Sequence, residues 1–506
     1  MTFKAPSLAD LERVADRLGL ALSASDLEAM RTVMAPMAGG YRTLDGLIEP
    51  LPVVKYPRTP GYRPDPDENK YGAWYIKTAI KGAAAGPLEG KRVGIKDNIC
   101  VAGVPMMNGA SIMEGFVPDI DATVVSRILD AGGEIAGKTV CEYLCTSGGS
   151  HTASTGPVAN PRKPTHTAGG SSSGSAAVVA AGDVPMALGC DQAGAVRQPA
   201  AHCGIVGMKA TWGLVPYSGI MSVETTLDHV GPMTATVEDN ARLLEVLAGP
   251  DGLDGRQAGA KVERYTKALG KSATGLKVGV VTEGFEQWNA EADVNRVVKK
   301  AIAQFEKLGI EAEEVSIPWH KLALAIWAPI CNEGMIVNLL HMGGAAINTE
   351  DLSSASVAAA FARWKTMPND LADTFKIIAM FGTYAVETYG GHYYGKAQNL
   401  RRSLRAAYDD ALGRYDLLAM PTMALKGKPL PTKPLSLAEN AEYAFVYIAN
   451  PCAFNVTGHP AISIPAGTID DLPIGLSLIA KHWNEATLYR AAHAYEQGWD
   501  WRKNAL

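Results

Sequence analysis

The chain has 506 residues, of which 47% are hydrophobic and 20% are charged, and its formal net charge is −5 at pH 7. This composition is typical of a globular protein and excludes a disordered or collagen-like chain; the small negative charge indicates no nucleic-acid or anionic-membrane partner. No apolar run reaches the length of a membrane span and the first residues contain no secretion signal, so we expect a cytoplasmic protein without a membrane partner. The seven scattered cysteines are expected to be reduced thiols, and the ten histidines form no HExxH motif, so neither a metal nor a cofactor is expected.

Residues 1–66 are predicted to form a helical arm followed by a proline-rich connector. Two segments have apolar residues at helical spacing, and Ser7 with Asp10 resembles a capping box at the start of the first. Six prolines lie between Pro50 and Pro66, which is typical of an extended linker. Two short helices cannot bury their apolar faces alone, so the arm packs either on the main body of the chain or on a second copy of it. A homodimer is the expectation.

Residues 67–506 are predicted to form a second domain in which short apolar strands alternate with amphipathic helices. Strands are predicted at 92–95, 134–136, 184–188, 276–281, 310–317, 417–420, 461–464 and 474–479, and helices at 121–131, 175–181 and 294–308. The fold class is therefore α/β, with a large mixed β-sheet covered by helices on both faces. Residues 319–410 predict a helical insertion, whose aromatic side chains either line a pocket or form its own core.

Glycine and serine are dense in two places, residues 169–175 and 189–195, on either side of a predicted helix and strand. No GxGxxG follows a strand, no GKS or GKT occurs, and no GxSxG elbow is present, which disfavours a nucleotide loop and a Ser-His-Asp hydrolase. Two such clusters around one buried helix favour a functional site over simple turns.

These segments resemble the amidase signature family. The matching stretches are KDN at 96–98, GGSSSGSAA at 169–177, GCDQAGAVRQPA at 189–200 and CGIVGMKATWG at 203–213. The similarity extends from about residue 70 to the C-terminus, and the helical arm with YGKAQN at 394–399 resembles the bacterial enantioselective and nitrile-hydratase-linked amidases. The resemblance implies an amidase-signature fold and hydrolysis of a small amide to an acid and ammonia or an amine, through an acyl-enzyme.

The resemblance also implies a catalytic triad of a lysine, a serine in a cis peptide bond and a nucleophilic serine. By position these are Lys96, Ser171 and residue 195, but residue 195 is alanine. Lys96 follows a predicted buried strand, and burial is expected to favour its neutral amine, which is able to accept a proton from Ser171. An alanine in place of the nucleophile predicts a nearly inactive chain.

Further site residues follow from the same segments. Backbone N–H groups of Gln192, Ala193, Gly194 and Ala195 are expected to form an oxyanion hole, in which small residues permit close approach of the substrate. Asp191 and Arg197 are expected to form a buried or half-buried pair that fixes this loop. Cys145 and Thr146 follow the strand predicted at 134–136 and are candidate substrate-pocket residues.

Several functional alternatives stay open. The chain is either an amidase inactivated at residue 195 or a pseudoenzyme that binds amides without hydrolysing them; the intact Lys96 and Ser171 favour the former. The same acyl-transfer machinery also cleaves carbamates and esters when the pocket accepts them, so urethanase or esterase activity is an alternative. A component of a glutamine-dependent tRNA amidotransferase is a third possibility, which the helical arm and the negative charge disfavour.

Overall fold

The computed structural model describes residues 3–345 and 351–506. The chain divides into two compact units, Met1–Val53 and Val54–Leu506. The first unit contains two helices, α1 (Leu8–Leu18) and α2 (Ala24–Asp45). Each begins with a capping box, formed by Ser7 with Asp10 and by Ser23 with Asp26. The predicted helical arm and its first capping box are confirmed.

The boundary between the units falls within the proline-rich segment, after Val53, so most of that segment belongs to the second unit. Lys55 Nζ donates a hydrogen bond to Asp130 Oδ2 at 2.8 Å. Tyr62 pairs with Lys77 through two backbone hydrogen bonds of 2.9 Å. The segment is extended, as its prolines require, but it is packed on the domain that follows.

The second unit is built on one mixed sheet of 11 strands among the described residues. In chain order the strands of this sheet and of a separate two-stranded ribbon (β4 and β5) are β1 (Trp74–Lys81), β2 (Arg92–Lys96), β3 (Glu134–Thr139), β4 (Ala159–Asn160), β5 (Lys163–Thr167), β6 (Met186–Asp191), β7 (Val206–Lys209), β8 (His229–Thr234), β9 (Lys277–Val281), β10 (Glu311–Val315), β11 (Leu417–Pro421), β12 (Ala461–Ile469) and β13 (Leu472–Ala480). The sheet order is β1-β3-β2-β6-β8-β7-β12-β13-β11-β9-β10. Strand pairs β3/β2, β2/β6, β11/β9 and β9/β10 are parallel and the others antiparallel.

Helices flank this sheet, which confirms the predicted fold class. The α-helices of the second unit are α3 (Thr123–Asp130), α4 (Ser173–Ala180), α5 (Arg197–Cys203), α6 (Val237–Leu247), α7 (Ala292–Ile302), α8 (Ala323–Met335), α9 (Ala355–Phe361), α10 (Asp373–Tyr389), α11 (His392–Arg414), α12 (Leu437–Phe445), α13 (Cys452–Thr457) and α14 (Glu485–Gly498). Helix α4 packs on β2, β6 and β8, and α5 packs on β7, β12 and β13.

The predicted insertion is helical over its described residues, from α8 to α11, and α8 continues into a π-helical turn at Ile336–His341. The stretch Pro318–His341 is long and apolar enough to cross a membrane by length and composition, with a mean hydropathy of 1.4. Half of its most apolar window is buried within the protein, which is also how a core helix behaves.

Two neighbouring strands bring the predicted site together. Strands β2 and β6 run parallel, and their last residues are Lys96 and Asp191. Because the carboxyl ends of parallel strands meet at the same edge of a sheet, both side chains lie where α4 and α5 begin. Ser175 fixes α4 against this edge by donating a hydrogen bond to the Leu188 carbonyl at 2.8 Å.

Candidate active site

A buried lysine and serine form the centre of the site. Lys96 Nζ donates a hydrogen bond to Ser171 Oγ at 2.8 Å and another to the Cys190 carbonyl oxygen at 3.2 Å. Both side chains are almost fully buried. The peptide bond between Gly170 and Ser171 is cis, as the resemblance implies. The two residues predicted from separate motifs are therefore in direct contact.

Residue 195 lies on the loop that faces Ser171. The Ser172 N–H donates a hydrogen bond to the Ala195 carbonyl at 3.3 Å, which joins the two glycine- and serine-rich loops. The Ala195 side chain lines the same cavity as Ser171, and the residue is only 8% exposed. A methyl group thus occupies the place where a nucleophilic hydroxyl is implied.

A buried ion pair holds this loop. Arg197 donates from Nε to Asp191 Oδ2 at 2.9 Å and from Nη2 to Asp191 Oδ1 at 3.1 Å, and both side chains are fully buried. Asn455 donates to both the side-chain and the backbone oxygen of Asp191 at 2.9 Å. Burial opposes ionisation of the carboxyl, but the Arg197 guanidinium outweighs it and holds the pKa of Asp191 well below its usual range. The predicted pair is confirmed, and it is fully buried.

Asp191 also uses one of the N–H groups expected in the oxyanion hole. The Gly194 N–H donates to Asp191 Oδ1 at 2.6 Å, and the Val196 N–H donates to Oδ2 at 3.2 Å. Gly194 has φ +115°, and a Cβ there would lie 2.6 Å from Pro451 Cγ, so the loop requires glycine at this position. The Gly194 N–H is therefore not free to bind an oxyanion, which corrects the expectation for this residue.

The N–H groups of Gln192, Ala193 and Ala195 have no protein acceptor within residues 3–345 and 351–506. Gln192 is fixed from both ends: its side-chain amide donates to Asp228 at 3.0 Å, and its carbonyl accepts from Trp327 Nε1 at 2.8 Å. This leaves three donors on a fixed loop beside Ser171.

These residues line one pocket. Cys145 and Thr146 contribute to its wall, as expected. The Thr146 hydroxyl donates to the Tyr143 carbonyl at 2.7 Å, so it stabilises the wall of the pocket. Sequence reasoning missed most of the apolar lining, which comes from the insertion and from α12 and its flanks: Trp327, Cys331, Met335, Ile378, Phe445 and Ile448. Of these lining residues, only Trp327 is one of the aromatic side chains of the insertion that the sequence predicted as possible pocket residues. The other lining residues belong to no motif.

Cys145 changes the direction of the pKa shift expected for Lys96. Burial lowers the pKa of Lys96, but the negative charge that neighbouring cysteines carry as thiolates, Cys145 first, more than offsets this, so the pKa lies above its usual value. A hydrogen bond from the Cys141 thiol, together with Lys96 and Ser171, lowers the pKa of Cys145 to about 6. Burial raises the pKa values of Cys141 and Cys190, which are neutral at pH 7. The pKa of Lys96 is therefore shifted upward, opposite in direction to the shift expected from burial alone.

Comparison with known proteins identifies the family of this chain. A family model described as Amidase matches residues 64–489. An enantioselective amidase from Rhodococcus rhodochrous is 46% identical over 435 residues, which cover 85% of this chain and 84% of that protein. The A component of the glutamyl-tRNA(Gln) amidotransferase from Exiguobacterium sibiricum is 39% identical over 422 residues, covering 81% and 84%. The crystal structure of the same component from Thermotoga maritima superimposes with a TM-score of 0.70 at 28% identity, covering 85% of this chain and 88% of that one.

The fold and these matches define an enzyme family that hydrolyses amides. The chain belongs to the amidase signature family.

We predict that Asp191→Asn destabilises the protein by about 3–5 kcal/mol, because it leaves the Arg197 guanidinium buried without a counter-charge. The measurement is the free energy of unfolding from urea titration. Asp410→Asn is the matched control, since Asp410 pairs with Arg414 on the surface at 3.4 Å and such pairs contribute about 0–1 kcal/mol. Equal, small losses in the two variants would contradict a structural role for the buried pair.

Proposed function

We propose that the site is that of an amide hydrolase with a Lys96, cis-Ser171 and residue 195 triad, inactivated because residue 195 is alanine. The observation that carries the proposal is the 2.8 Å hydrogen bond between Lys96 and Ser171, beside a pocket whose wall includes Ala195. The rest of the arrangement, including the fixed loop, is intact. A protein that only bound amides would have no chemical need for a buried lysine on a serine.

With a serine at position 195, the residues present support acyl transfer. The hydroxyl of that serine attacks the amide carbonyl carbon and loses its proton to Ser171 Oγ, while Ser171 passes its own proton to neutral Lys96. The developing oxyanion accepts hydrogen bonds from the N–H groups of Gln192, Ala193 and residue 195. As the C–N bond breaks, the relay runs in reverse: Lys96 returns one proton to Ser171, and Ser171 gives one proton to the departing nitrogen. Water then cleaves the acyl-enzyme by the same relay.

The pocket lining supports small substrates with an apolar acyl or aryl group. Trp327, Met335, Ile378 and Phe445 supply much of the wall, and their side chains are apolar over most of their surface. Carboxylic acid amides are the proposed substrates, with carbamates, aryl amides and esters as the alternative class that the same machinery accepts. No step in this chemistry requires a cofactor, and the cytoplasm is the proposed location.

Relatives that belong to amidotransferases support a second candidate, in which the chain releases ammonia from glutamine for a partner protein. The higher identity to an enantioselective amidase, 46% against 39%, favours the free amidase. Glutamine-dependent ammonia release by the chain with a restored serine, or a stoichiometric partner protein, would favour the amidotransferase.

The first unit supports a homodimer. Helix α2 and the residues after it carry exposed apolar side chains at heptad-like spacing: Met30, Val33, Met37, Tyr41, Leu44 and Ile48. Of these, Val33, Met37, Leu44 and Ile48 are each more than 60% exposed. Such a stripe is typical of a helix that pairs with another helix, and we propose that its partner is the same stripe of a second copy.

We predict that Ala195→Ser raises the hydrolysis rate by about 10⁶-fold over the parent chain, because it restores the nucleophile to an otherwise complete site. The assay is release of ammonia or amine from a panel of aliphatic amides, aryl amides, anilides and carbamates. Ala193→Ser places the same hydroxyl in the same loop and should gain nothing. Absence of activity on every substrate would contradict the proposal and leave an amide-binding pseudoenzyme.

In the Ala195→Ser background, we predict that Cys145→Ser shifts the acidic limb of the kcat/KM–pH profile to lower pH. The base is neutral Lys96, and the Cys145 thiolate stabilises its ammonium form; without the thiolate, burial lowers the pKa of Lys96, so the base is available at lower pH. Cys100→Ser is the control, since Cys100 is also buried but its sulfur contacts Met106 and not Lys96. An acidic limb that does not move relative to this control would refute the coupling.

For the homodimer, the prediction is that Val33→Lys with Met37→Lys converts the protein to a monomer, measured as molar mass by light scattering after size exclusion. Thr32→Lys with Ala35→Lys adds the same charge to exposed positions of the same helix outside the stripe and should leave the dimer intact. A parent chain that is monomeric at micromolar concentration would rule the dimer out.

A further inference from the structure

Two histidines and an aspartate converge outside the amide-binding pocket. Asp409 lies on α11, His459 lies between α13 and β12, and His482 lies just after the end of β13. Their ligating atoms all lie within 4.8 Å of one another. His459 Nε2 is 3.0 Å from Asp409 Oδ1, and His482 Nδ1 is 3.9 Å from the same oxygen. None of the three lines the pocket that contains Ser171.

The hydrogen bonds of His482 fix which of its nitrogens carries the hydrogen. His482 Nε2 lies 3.0 Å from the Thr457 carbonyl oxygen. A carbonyl only accepts, so Nε2 is the donor and Nδ1 of the neutral ring carries a lone pair. That lone pair faces the Asp409 carboxylate at 3.9 Å. Two electron-pair donors facing each other with no hydrogen between them are an arrangement that a cation stabilises.

Thr457 supports the second ring as well. His459 Nδ1 lies 2.9 Å from Thr457 Oγ1, and a hydroxyl either donates or accepts. The Asp409 carboxylate only accepts, so without a metal ion His459 Nε2 donates to it at 3.0 Å and His459 Nδ1 accepts from the Thr457 hydroxyl. Metal binding would move the ring hydrogen to Nδ1, which then donates to Thr457 Oγ1, and would free the Nε2 lone pair for the ion. One residue thus orients both rings through its carbonyl and its hydroxyl, as the outer-sphere partners of metal-bound histidines do.

We propose that Asp409, His459 and His482 bind one divalent transition-metal ion, with zinc as the best fit. Two imidazole nitrogens and one carboxylate oxygen are a common zinc ligand set, whereas magnesium and calcium prefer oxygen ligands alone. The His459 side chain is fully buried, but the Asp409 side chain is 51% exposed. Water therefore has access, from the Asp409 side, to the fourth coordination position of the proposed ion.

The proposed ion connects parts of the fold that are distant in sequence. It joins α11, the last helix of the insertion, to the residues next to β12 and β13 in the middle of the sheet. Arg405 opposes it: its Nε donates to the Thr457 carbonyl at 2.9 Å, and its positive charge repels a cation. The affinity should therefore be lower than that of a zinc site with no neighbouring positive charge, and binding should raise the stability of the whole domain.

The test uses the full chain without an affinity tag, freed of metal with a chelator. Zinc is titrated by calorimetry, cobalt by its visible absorption, and the melting temperature is recorded with and without zinc. We expect one equivalent of either ion to bind and the melting temperature to rise. Asp409→Asn should abolish both effects, and Thr457→Val should weaken binding about 10–100-fold because it removes the hydrogen-bond partner of His459.

Asp410→Asn is the matched control, since Asp410 is the next residue on α11 and pairs with Arg414 on the surface. It should bind zinc like the parent chain. No binding of zinc or cobalt by the parent chain would overturn the proposal, and so would equal binding by the Asp409→Asn and Asp410→Asn variants, which would put the ion elsewhere. Asp409→Asn changes only a half-exposed side chain, and circular dichroism of the metal-free variants separates loss of binding from loss of fold.

Discussion

Two opposite charges buried together, on Asp191 and Arg197, fix the loop on which the site depends. The carboxylate takes the N–H groups of Gly194 and Val196 as well as the guanidinium, so the loop is held at both ends by one side chain. An unpaired buried charge costs several kcal/mol, which disfavours other loop conformations. With these groups held inward, residue 195 and the remaining N–H groups are left at the pocket wall. The low pKa of Asp191 keeps the pair ionised at neutral pH, and its contribution to stability is lost only in acid, below pH ~4.

Local patterns predicted the fold class and the strands with the strongest apolar runs, such as β2, β9 and β13. Strand β7 has only four residues and β8 contains Gly231 and Pro232, so neither carries an alternating or β-branched signal. The order of the strands in the sheet could not be predicted from the sequence, because most neighbouring strands are distant in sequence. The domain boundary was placed too late because proline spacing reports an extended backbone and not what it packs against.

Lys96, Ser171 and residue 195 were found because each lies in a short motif at the end of a strand or start of a helix. The upward shift of the Lys96 pKa was not predictable in this way, since it depends on a thiol that contributes to no motif. The same limit applies to Ile378 and Phe445 in the pocket wall and to the cluster of Asp409, His459 and His482. These residues meet only after the chain folds, and their separation in sequence carries no pattern. The motif at 189–200 did show that residue 195 is alanine where the family has serine. The contacts of Ala195 in the structure would not by themselves mark this residue as unusual.

The central claim is that the site lacks only its nucleophile. The most direct measurement is peptide mapping by mass spectrometry after the Ala195→Ser variant reacts with an activated aryl ester. We expect one acyl adduct, on the serine introduced at residue 195, that is absent from the parent chain and disappears when Lys96→Ala is added. An adduct on Ser172 or Ser173, or labelling of the introduced serine that does not depend on Lys96, would contradict the claim.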